Sequence, residues 1–561
     1  MSHEEQILRA VECEVLDRQH LQYSLLQRNA SDAVAAVLRC YGDIVRGLQN
    51  GSIPKDTDDA RHQTANEGFR GLSHCLRWIR SSCPRLIAVP SVGLETLHAE
   101  ALELLRWGVQ YDPLCNQHIA LSRRVNGRSL VTATVSEAKK HITFVPCDPP
   151  DPRYFVSQVE ARKAEDLRQV ALYPDQQLAQ LSSAWYESVQ RDKTGFRFDD
   201  STIATSGVLD VVIEWLQRTC LPECPDERQL GTFKAGSLRR ILAALHVASL
   251  FQVKLEEVSD QQDPQLPRVL THVLSWRREE LLDWLYRLTG VDRTQIRAMI
   301  LMLIFDSEPL RVTLAHKPLV LGADDRIFLS PRLFLGLPLS QMVVGALNLN
   351  SVTKAAYDDV STSIEKAVVQ RIGGDIRSGC LSNCTIALEK TYRLPDGTQI
   401  TPDIVALAAD GSELLIVDVK NATPPFGAGD VAVDLKTWVD EWQPQLCKYV
   451  AAFKDHPKIL SQHFSTSASA PRVFGLILTR WPFPIPVEIP SGLGAIDWSS
   501  LHHELTTGSA SRSMQDLEKW VQERPDCGVV TALKWKDKVV QVEGWTYQYS
   551  VLSPSNGTGE T

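Results

Sequence analysis

The chain has 561 residues, of which 43% are hydrophobic and 23% are charged, and its formal net charge is −9 at pH 7. This length predicts three or four domains, because a single hydrophobic core stops growing well below this size. Because the net charge is negative, a nucleic-acid partner would have to bind at a local basic patch. No stretch approaches the roughly 18 apolar residues of a membrane span, and the first residues lack the basic-then-apolar layout of a signal peptide, so we expect no membrane partner.

The cysteines predict a reducing, cytoplasmic location. The 12 Cys residues show no spacing typical of a disulfide framework. Two pairs, Cys220 with Cys224 and Cys380 with Cys384, have C-x3-C spacing, but neither has a second pair nearby to complete a zinc site. We interpret them as structural thiols, with a metal site as the alternative.

The first part of the chain is predicted to be largely helical. Residues 1–116 have apolar residues at helical spacing and predict a helical domain. Residues 117–150 carry an Asn-Gly pair between two apolar runs, which predicts a β-hairpin segment. The arginines at its turn (Arg123, Arg124 and Arg128) indicate a solvated tip or, alternatively, a phosphate contact. After a Pro/Asp-rich breaker, residues 151–345 predict a mainly helical domain that ends in a hairpin.

The next helix brings one acidic residue to the edge of a buried face. Apolar residues recur every fourth position over residues 354–372, and Gly373-Gly374 is predicted to end this helix. Glu365 lies beside the apolar stripe. A domain over residues 346–485 begins with this helix. A small α+β region at 486–552 and a disordered tail at 553–561 follow it.

Residues 400–421 predict an apolar β-hairpin with charged residues at its open end. Asp410-Gly411 between two Val/Ile/Leu runs predicts a type I′ turn, in which both central residues have positive φ. Counting pairs outward from the turn places Asp403 directly opposite Asp418, and Lys420 shares their face. Like charges at opposite positions are destabilising in a strand pair, and a divalent cation would offset the repulsion.

A second polar pair follows on a helix. Residues 430–453 have a helical pattern that breaks or restarts near Pro444, and Gln445 and Tyr449 are four residues apart on one face of it. Residues 472–479 then predict an apolar strand. The order is therefore a helix with Glu365, a strand, the charged hairpin, the helix with Gln445 and Tyr449, and a strand.

This order resembles the PD-(D/E)xK nuclease superfamily, the restriction-endonuclease-like fold. Pro402-Asp403 matches the PD motif and Asp418-Val419-Lys420 matches (D/E)xK. Glu365 matches an acidic residue that members often carry on the first core helix. Residues 445–449, QLCKY, match the QxxxY motif of the RecB-like branch. The resemblance covers residues 354–480, with Asp418 where many RecB-like members have Glu.

The resemblance implies a multidomain α+β protein, in which helical N-terminal regions precede an α/β restriction-endonuclease-like domain with a central mixed sheet flanked by helices. It implies that Asp403, Asp418, the Val419 carbonyl and Glu365 bind Mg²⁺ or Mn²⁺. Lys420 would orient the attacking water or stabilise charge. Gln445 and Tyr449 would position the site or the nucleic-acid backbone. Some RecB-like relatives hold an iron–sulfur cluster with one upstream and three downstream cysteines, but only Cys527 lies well downstream here, so we expect none.

The function implied is a Mg²⁺-dependent phosphodiesterase, an endo- or exodeoxyribonuclease in genome defence (antiviral defence, for example) or repair. The partner implied is nucleic acid, with DNA favoured over RNA, and the helical regions would bind a protein partner or a second copy of the chain. The alternative is a catalytically silent nuclease-fold scaffold or nucleic-acid-binding module, in which Asp418 and Lys420 form only a structural ion pair. No G-x4-G-K-[ST] motif is present, so an ATP-driven motor would have to come from a partner.

Overall fold

The structure is a computed structural model. It describes most of the chain in ranges separated by gaps, namely residues 3–53, 58–83, 93–125, 128–147, 173–178, 190–192, 195–197, 203, 207–262, 273–305, 313–349, 352–421, 428–465, 470–481, 489–507, 513–523 and 533–554. Several sequence predictions lie outside these residues: the Asn126-Gly127 turn, most of the breaker at 147–152, Cys527, and most of the tail at 553–561.

The helices within the described residues are, in chain order, α1 (His3–Val11), α2 (Ala30–Gln49), α3 (Asp58–Ser82), α4 (Leu94–Ser122), α5 (Val208–Thr219), α6 (Ala235–Gln262), α7 (Arg278–Thr289), α8 (Arg293–Leu303), α9 (Pro331–Leu335), α10 (Leu339–Leu349), α11 (Lys354–Ser378), α12 (Ala428–Thr437), α13 (Gln443–Asp455), α14 (Trp498–Thr507) and α15 (Met514–Glu523).

The strands are β1 (Arg124–Val125), β2 (Arg128–Ser129), β3 (Val131–Ser136), β4 (His141–Pro146), β5 (Gln190–Asp192), β6 (Gly195–Arg197), β7 (Gln229–Leu230), β8 (Phe233–Lys234), β9 (Leu274–Arg277), β10 (Val320–Leu321), β11 (Arg326–Leu329), β12 (Cys384–Leu388), β13 (Tyr392–Arg393), β14 (Gln399–Ile400), β15 (Ile404–Ala408), β16 (Glu413–Lys420), β17 (Arg472–Thr479), β18 (Leu493–Asp497), β19 (Leu533–Val542) and β20 (Trp545–Pro554).

The chain divides into two compact units. The first comprises residues 1–115 and 169–358, and the second comprises residues 116–168 and 359–561. The first unit is mainly helical, with a three-stranded sheet in the order β10-β11-β9. The second contains the two larger sheets, so the predicted α+β class is confirmed.

A buried arginine organises the first C-x3-C segment. The Arg239 guanidinium, 3% exposed, donates hydrogen bonds to the carbonyls of Cys220, Leu221 and Cys224 and pairs with Asp226. Both thiols of this segment are buried. One charged side chain thus donates to three backbone carbonyls of this buried segment, of which the Leu221 carbonyl also accepts the Cys224 N–H.

One sheet of the second unit is built from strands that are far apart in the sequence, β3 and β4 from its first segment and β19 and β20 from its last residues. It has the order β19-β20-β4-β3, in which β20 pairs parallel to β4 and the other neighbours are antiparallel. The segment predicted as a hairpin therefore supplies β3 and β4. Residues 119–122, expected in the first strand of that hairpin, instead form the end of α4.

The other sheet of the second unit positions the charged residues. Its order is β12-β15-β16-β17-β18, with antiparallel pairing from β12 to β16 and parallel pairing from β16 to β18. β16 is therefore central and paired on both sides. Five of its eight residues, ELLIVDVK, are apolar, and Leu414 to Val419 are buried, as expected for a central strand.

Helices cover both faces of this sheet. α13 packs on the face that carries Leu414, Ile416 and Val473, and α15 packs on the opposite face. Gly475 in β17 allows the close approach of α13, because a Cβ atom there would lie 2.7 Å from a methyl group of Val450. The sequence places glycine where the helix touches the backbone of the sheet.

Two local predictions are wrong. α11 does not end at Gly373-Gly374 but continues to Ser378, and Gly379 ends it by donating its N–H to the Asp375 carbonyl. A Cβ at Gly379 would collide with the backbone of Leu505. Packing against Leu505 therefore requires glycine at the end of α11. Gly373 lies within the helix, where the absence of a side chain leaves room for Leu388 of β12.

The turn between β15 and β16 also differs from the prediction. Gly411 has φ of 72°, but Asp410 does not have positive φ. The Asp410 carboxylate accepts hydrogen bonds from the Ser412 N–H and hydroxyl, which keeps Asp410 in an ordinary turn conformation. The turn is thus not type I′, although the strand register that it was used to predict is observed.

No helix within the described part of the chain is both long and apolar enough to cross a membrane.

A buried histidine predicts how stability depends on pH. His118 is 4% exposed and packs edge-on against Phe144 and Tyr547, and burial lowers its pKa from 6.5 to about 4. As pH falls, the imidazole of His118 is protonated in the unfolded chain before it is protonated in the folded one. The free energy of unfolding therefore decreases between pH 6.5 and pH 4. The free energy of unfolding of the wild type should fall between pH 7.5 and pH 5, and we expect His118→Phe to make this decrease smaller by up to about 2 kcal/mol.

Denaturant unfolding at the two pH values measures this difference. The matched control is His503→Phe, because His503 is exposed and its replacement should leave the pH dependence as in the wild type. Equal pH dependence in the two variants would contradict the assignment of His118.

Candidate functional site

The two aspartates meet at the open end of the central hairpin. The pairs Ile404–Val417 and Val405–Ile416 define the register of β15 against β16. Continuing this register by one residue places Asp403 opposite Asp418, as the sequence predicted. Asp418 is 2% exposed and Asp403 is half-buried, so two carboxylates share an apolar environment.

This crowding changes the acidity of Asp403. The pKa of Asp403 is raised to about 7, chiefly by burial and also by the Asp418 carboxylate beside it, while the Val419 N–H opposes the shift. The Asp403 Oδ2 atom accepts that N–H at 2.6 Å. Desolvation and a like charge act here in the same direction. A carboxylate pair of this kind favours either a shared proton or a bound cation.

Lys420 supplies a positive charge beside the pair. Its Nζ atom lies 3.0 Å from Asp418 Oδ2. The contact is an ion pair without hydrogen-bond geometry, so this buried carboxylate oxygen accepts no hydrogen bond. A buried charge without hydrogen bonds is costly. Asp418 Oδ2 is therefore an oxygen atom that a cation or a proton donor would stabilise.

The Lys420 ammonium continues into a polar chain on α13. Nζ donates to Gln445 Oε1 at 3.3 Å, and Gln445 Nε2 donates to the Tyr449 hydroxyl at 2.8 Å. Burial raises the pKa of Tyr449, so its hydroxyl keeps its proton at neutral pH. The pair predicted to lie on one helical face does so, and that face is turned toward Lys420.

The start of α13 places Gln445 on that face. A single π-helical turn, Trp438–Trp442, separates α12 from α13, and Pro444 stands in the first turn of α13. Proline has no N–H to donate to an earlier carbonyl, and the Trp438 indole bonds to Gln443 Oε1 at 2.8 Å across the turn. The break expected near Pro444 is confirmed, and it resets the helical phase just before Gln445.

Glu365 reaches the end of β16 from α11. Its Oε1 atom accepts the N–H of Asn421 at 3.0 Å. Burial raises the pKa of Glu365, whereas the Asn421 N–H and then the Lys420 ammonium lower it. All six predicted side chains and the Val419 backbone are thus brought together around the last residues of one strand.

Two further polar residues at this position were missed from the sequence. Asn421 Nδ2 donates to Ser361 Oγ at 3.1 Å, and Ser361 lies one helical turn before Glu365 on α11. The available signals were the position of Asn421 directly after Lys420 and the four-residue spacing from Ser361 to Glu365.

The donor set suits a hydrated magnesium ion better than a metal held by protein ligands alone. Within the described residues, no three or more His, Cys, Asp or Glu side chains are grouped so as to hold a metal ion. Mg²⁺, however, is often held by one or two carboxylates and keeps several of its waters. Asp403 and Asp418, with the unbonded Asp418 Oδ2, fit that requirement.

Comparisons of the chain with protein-family models, with curated proteins and with solved structures find no match.

The like-charge pair predicts a stabilising substitution. Asn at position 403 keeps an oxygen for the Val419 N–H, removes one of the two facing charges, and offers an amide donor to Asp418. In EDTA we expect Asp403→Asn to stabilise the second unit by about 1–2 kcal/mol, seen as a rise of about 2–6 °C in Tm.

Thermal unfolding followed by calorimetry measures this change. Asp440→Asn is the control, because Asp440 is exposed in the same unit and its Tm should equal that of the wild type. A lower Tm for Asp403→Asn would mean that the carboxylate pair stabilises the metal-free fold.

Proposed function

We propose that the chain is a metal-dependent phosphodiesterase that cleaves nucleic acid, with DNA favoured over RNA, and that residues 354–480 form its PD-(D/E)xK nuclease domain. The observation that carries this proposal is the placement of Asp403 opposite Asp418 with Lys420 3.0 Å away. A strand pair selected only for stability has no reason to bury two like charges at opposite positions. The order of elements from α11 to β17 supports the same family.

Asp403, Asp418 and the Val419 carbonyl would hold the Mg²⁺ or Mn²⁺ ion, and Glu365 would reach it through one of the ion's waters, because three acidic side chains are not grouped as direct ligands within the described residues. When bound, the ion would supply an activated water and stabilise negative charge on the phosphate. Asp418 contributes the oxygen that accepts no hydrogen bond. The pKa of Asp403 is raised by burial and by the Asp418 carboxylate, and a bound cation would stabilise the charged form of this carboxylate.

Lys420 would act on the reacting phosphate. The Lys420 side chain is 19% exposed and lies at the end of the buried strand, with its ammonium 3.0 Å from Asp418 Oδ2. Gln445, fixed by the Tyr449 hydroxyl, directs this ammonium through the Gln445 Oε1 acceptor. The ammonium would orient the attacking water and stabilise charge on the phosphoryl oxygens.

A catalytically silent scaffold is the second candidate. In favour of it, the Asp403 and Glu365 carboxylates accept the N–H groups of Val419 and Asn421, which β15 is too short to pair. The acids would then complete the hydrogen bonding of the sheet edge, and the Asp418–Lys420 ion pair would balance charge without a metal. Such a protein would bind nucleic acid or partner proteins without cleaving.

Cleavage assays on the full chain distinguish the two. Linear duplex DNA, circular DNA, single-stranded DNA and RNA are incubated with Mg²⁺, Mn²⁺ or EDTA. We expect metal-dependent cleavage of DNA that Asp418→Asn and Lys420→Met each reduce by about 100-fold or more.

Asp440→Asn is the matched control and should cleave as the wild type does. Cleavage in EDTA, or undiminished cleavage by Asp418→Asn, would contradict the proposal. Absence of cleavage together with absence of a Mn²⁺-induced rise in Tm would establish the scaffold.

A further inference from the structure

The N–H groups on one edge of β16 are paired by side chains beyond the point where β15 ends. The Lys420 carbonyl accepts the N–H of Arg480, which follows β17, so the backbone groups of Lys420 point toward β17. Because successive residues of a strand point their backbone groups to alternate edges, the N–H groups of Val419 and Asn421 point toward the β15 side. Asp403 takes the first of these and Glu365 takes the second. Because alternate residues of a strand are roughly 6.5–7 Å apart, the backbone itself sets the spacing of the two carboxylates.

Asp403 needs little further support, because it is continuous with β15. Glu365 differs, since it belongs to a helix 38 residues earlier in the sequence and reaches β16 only through its side chain. A glutamate side chain has several freely rotating bonds, and fixing it costs rotamer entropy. The hydrogen bond from the Asn421 N–H to Glu365 fixes a distance but does not by itself fix the rotation of α11.

A second contact supplies the missing constraint. Asn421 Nδ2 donates to Ser361 Oγ, so the residue that directly follows β16 holds α11 at two points that are one helical turn apart. The Asn421 side chain is 8% exposed, and its Oδ1 atom is buried without a hydrogen bond. The amide is therefore retained at an energetic cost, although an apolar residue would fill the same space.

From this arrangement we infer that Asn421 and Ser361 are positioning residues that hold Glu365 beside the carboxylate pair for use toward the divalent cation. This inference rests on the proposed function. Neither residue touches the reacting phosphate in this role. The Asn421 main chain fixes the Glu365 oxygen, and the link from the Asn421 amide to Ser361 fixes the helix that carries Glu365.

The test compares Asn421→Ala, Ser361→Ala and Ser361→Thr. Mn²⁺ binding is measured by the electron paramagnetic resonance signal of free Mn²⁺, and kcat and KM are measured on DNA. Loss of a residue that orients a metal ligand typically costs 10–100-fold in metal affinity or activity. We expect Asn421→Ala and Ser361→Ala to weaken Mn²⁺ binding about 10-fold and to lower kcat with KM for DNA unchanged. Ser361→Thr, which keeps the hydroxyl, should restore both.

Ser363→Ala is the matched control, because the Ser363 hydroxyl bonds only to the Asp359 carbonyl of its own helix, and it should bind Mn²⁺ as the wild type does. If the wild type binds Mn²⁺ and both alanine variants bind it equally well, the positioning role is overturned while the proposed function stands. If the wild type binds no Mn²⁺, the proposed function is overturned and this role with it. If Asn421→Ala does not fold, the Ser361 pair of variants decides.

Discussion

The second unit depends on a balance of charge at one end of its central strand. Asp403 and Asp418 face each other where β15 stops and β16 continues, and the Lys420 ammonium supplies a compensating charge beside Asp418. Burial of a carboxylate costs several kcal/mol unless it is paired and hydrogen-bonded, and Asp418 Oδ2 has the ion pair without the hydrogen bond. The surrounding apolar sheet keeps water away and thereby preserves this imbalance. A protein retains such a local cost where it serves binding or catalysis.

The sheet supplies more than a platform for these side chains. Because β16 extends beyond β15, two of its N–H groups are left for acceptors other than strand carbonyls, and carboxylates from two different elements take them. Backbone hydrogen bonding and the arrangement of acidic residues are therefore one feature. Replacing either acid by a residue without a side-chain oxygen would leave a backbone donor unpaired, which links the integrity of the strand end to the geometry of the candidate site.

The sequence predicts this region well where the determinants are local. The register that opposes Asp403 to Asp418 follows from counting outward from a turn at Asp410-Gly411, and it is observed even though the turn type is not the expected one. The four-residue spacing of Gln445 and Tyr449 is likewise local. The end of α11 was misplaced because Leu505, a distant residue, decides which glycine ends the helix. Ser361 and Asn421 were missed because their contact joins elements 60 residues apart, which neither periodicity nor a motif reveals.

The parallel pairing of β16 with β17 has a consequence for folding. The hairpin that brings Asp403 and Asp418 together is closed by a short turn and belongs to the elements that form within microseconds. Gln445 and Tyr449 arrive only when α12 and α13 have crossed over and β17 has joined the far side of β16, a non-local step that is intrinsically slower. The two acids therefore meet before the residues that complete their surroundings are in place. A newly made chain would acquire its complete set of polar partners only after its sheet has closed.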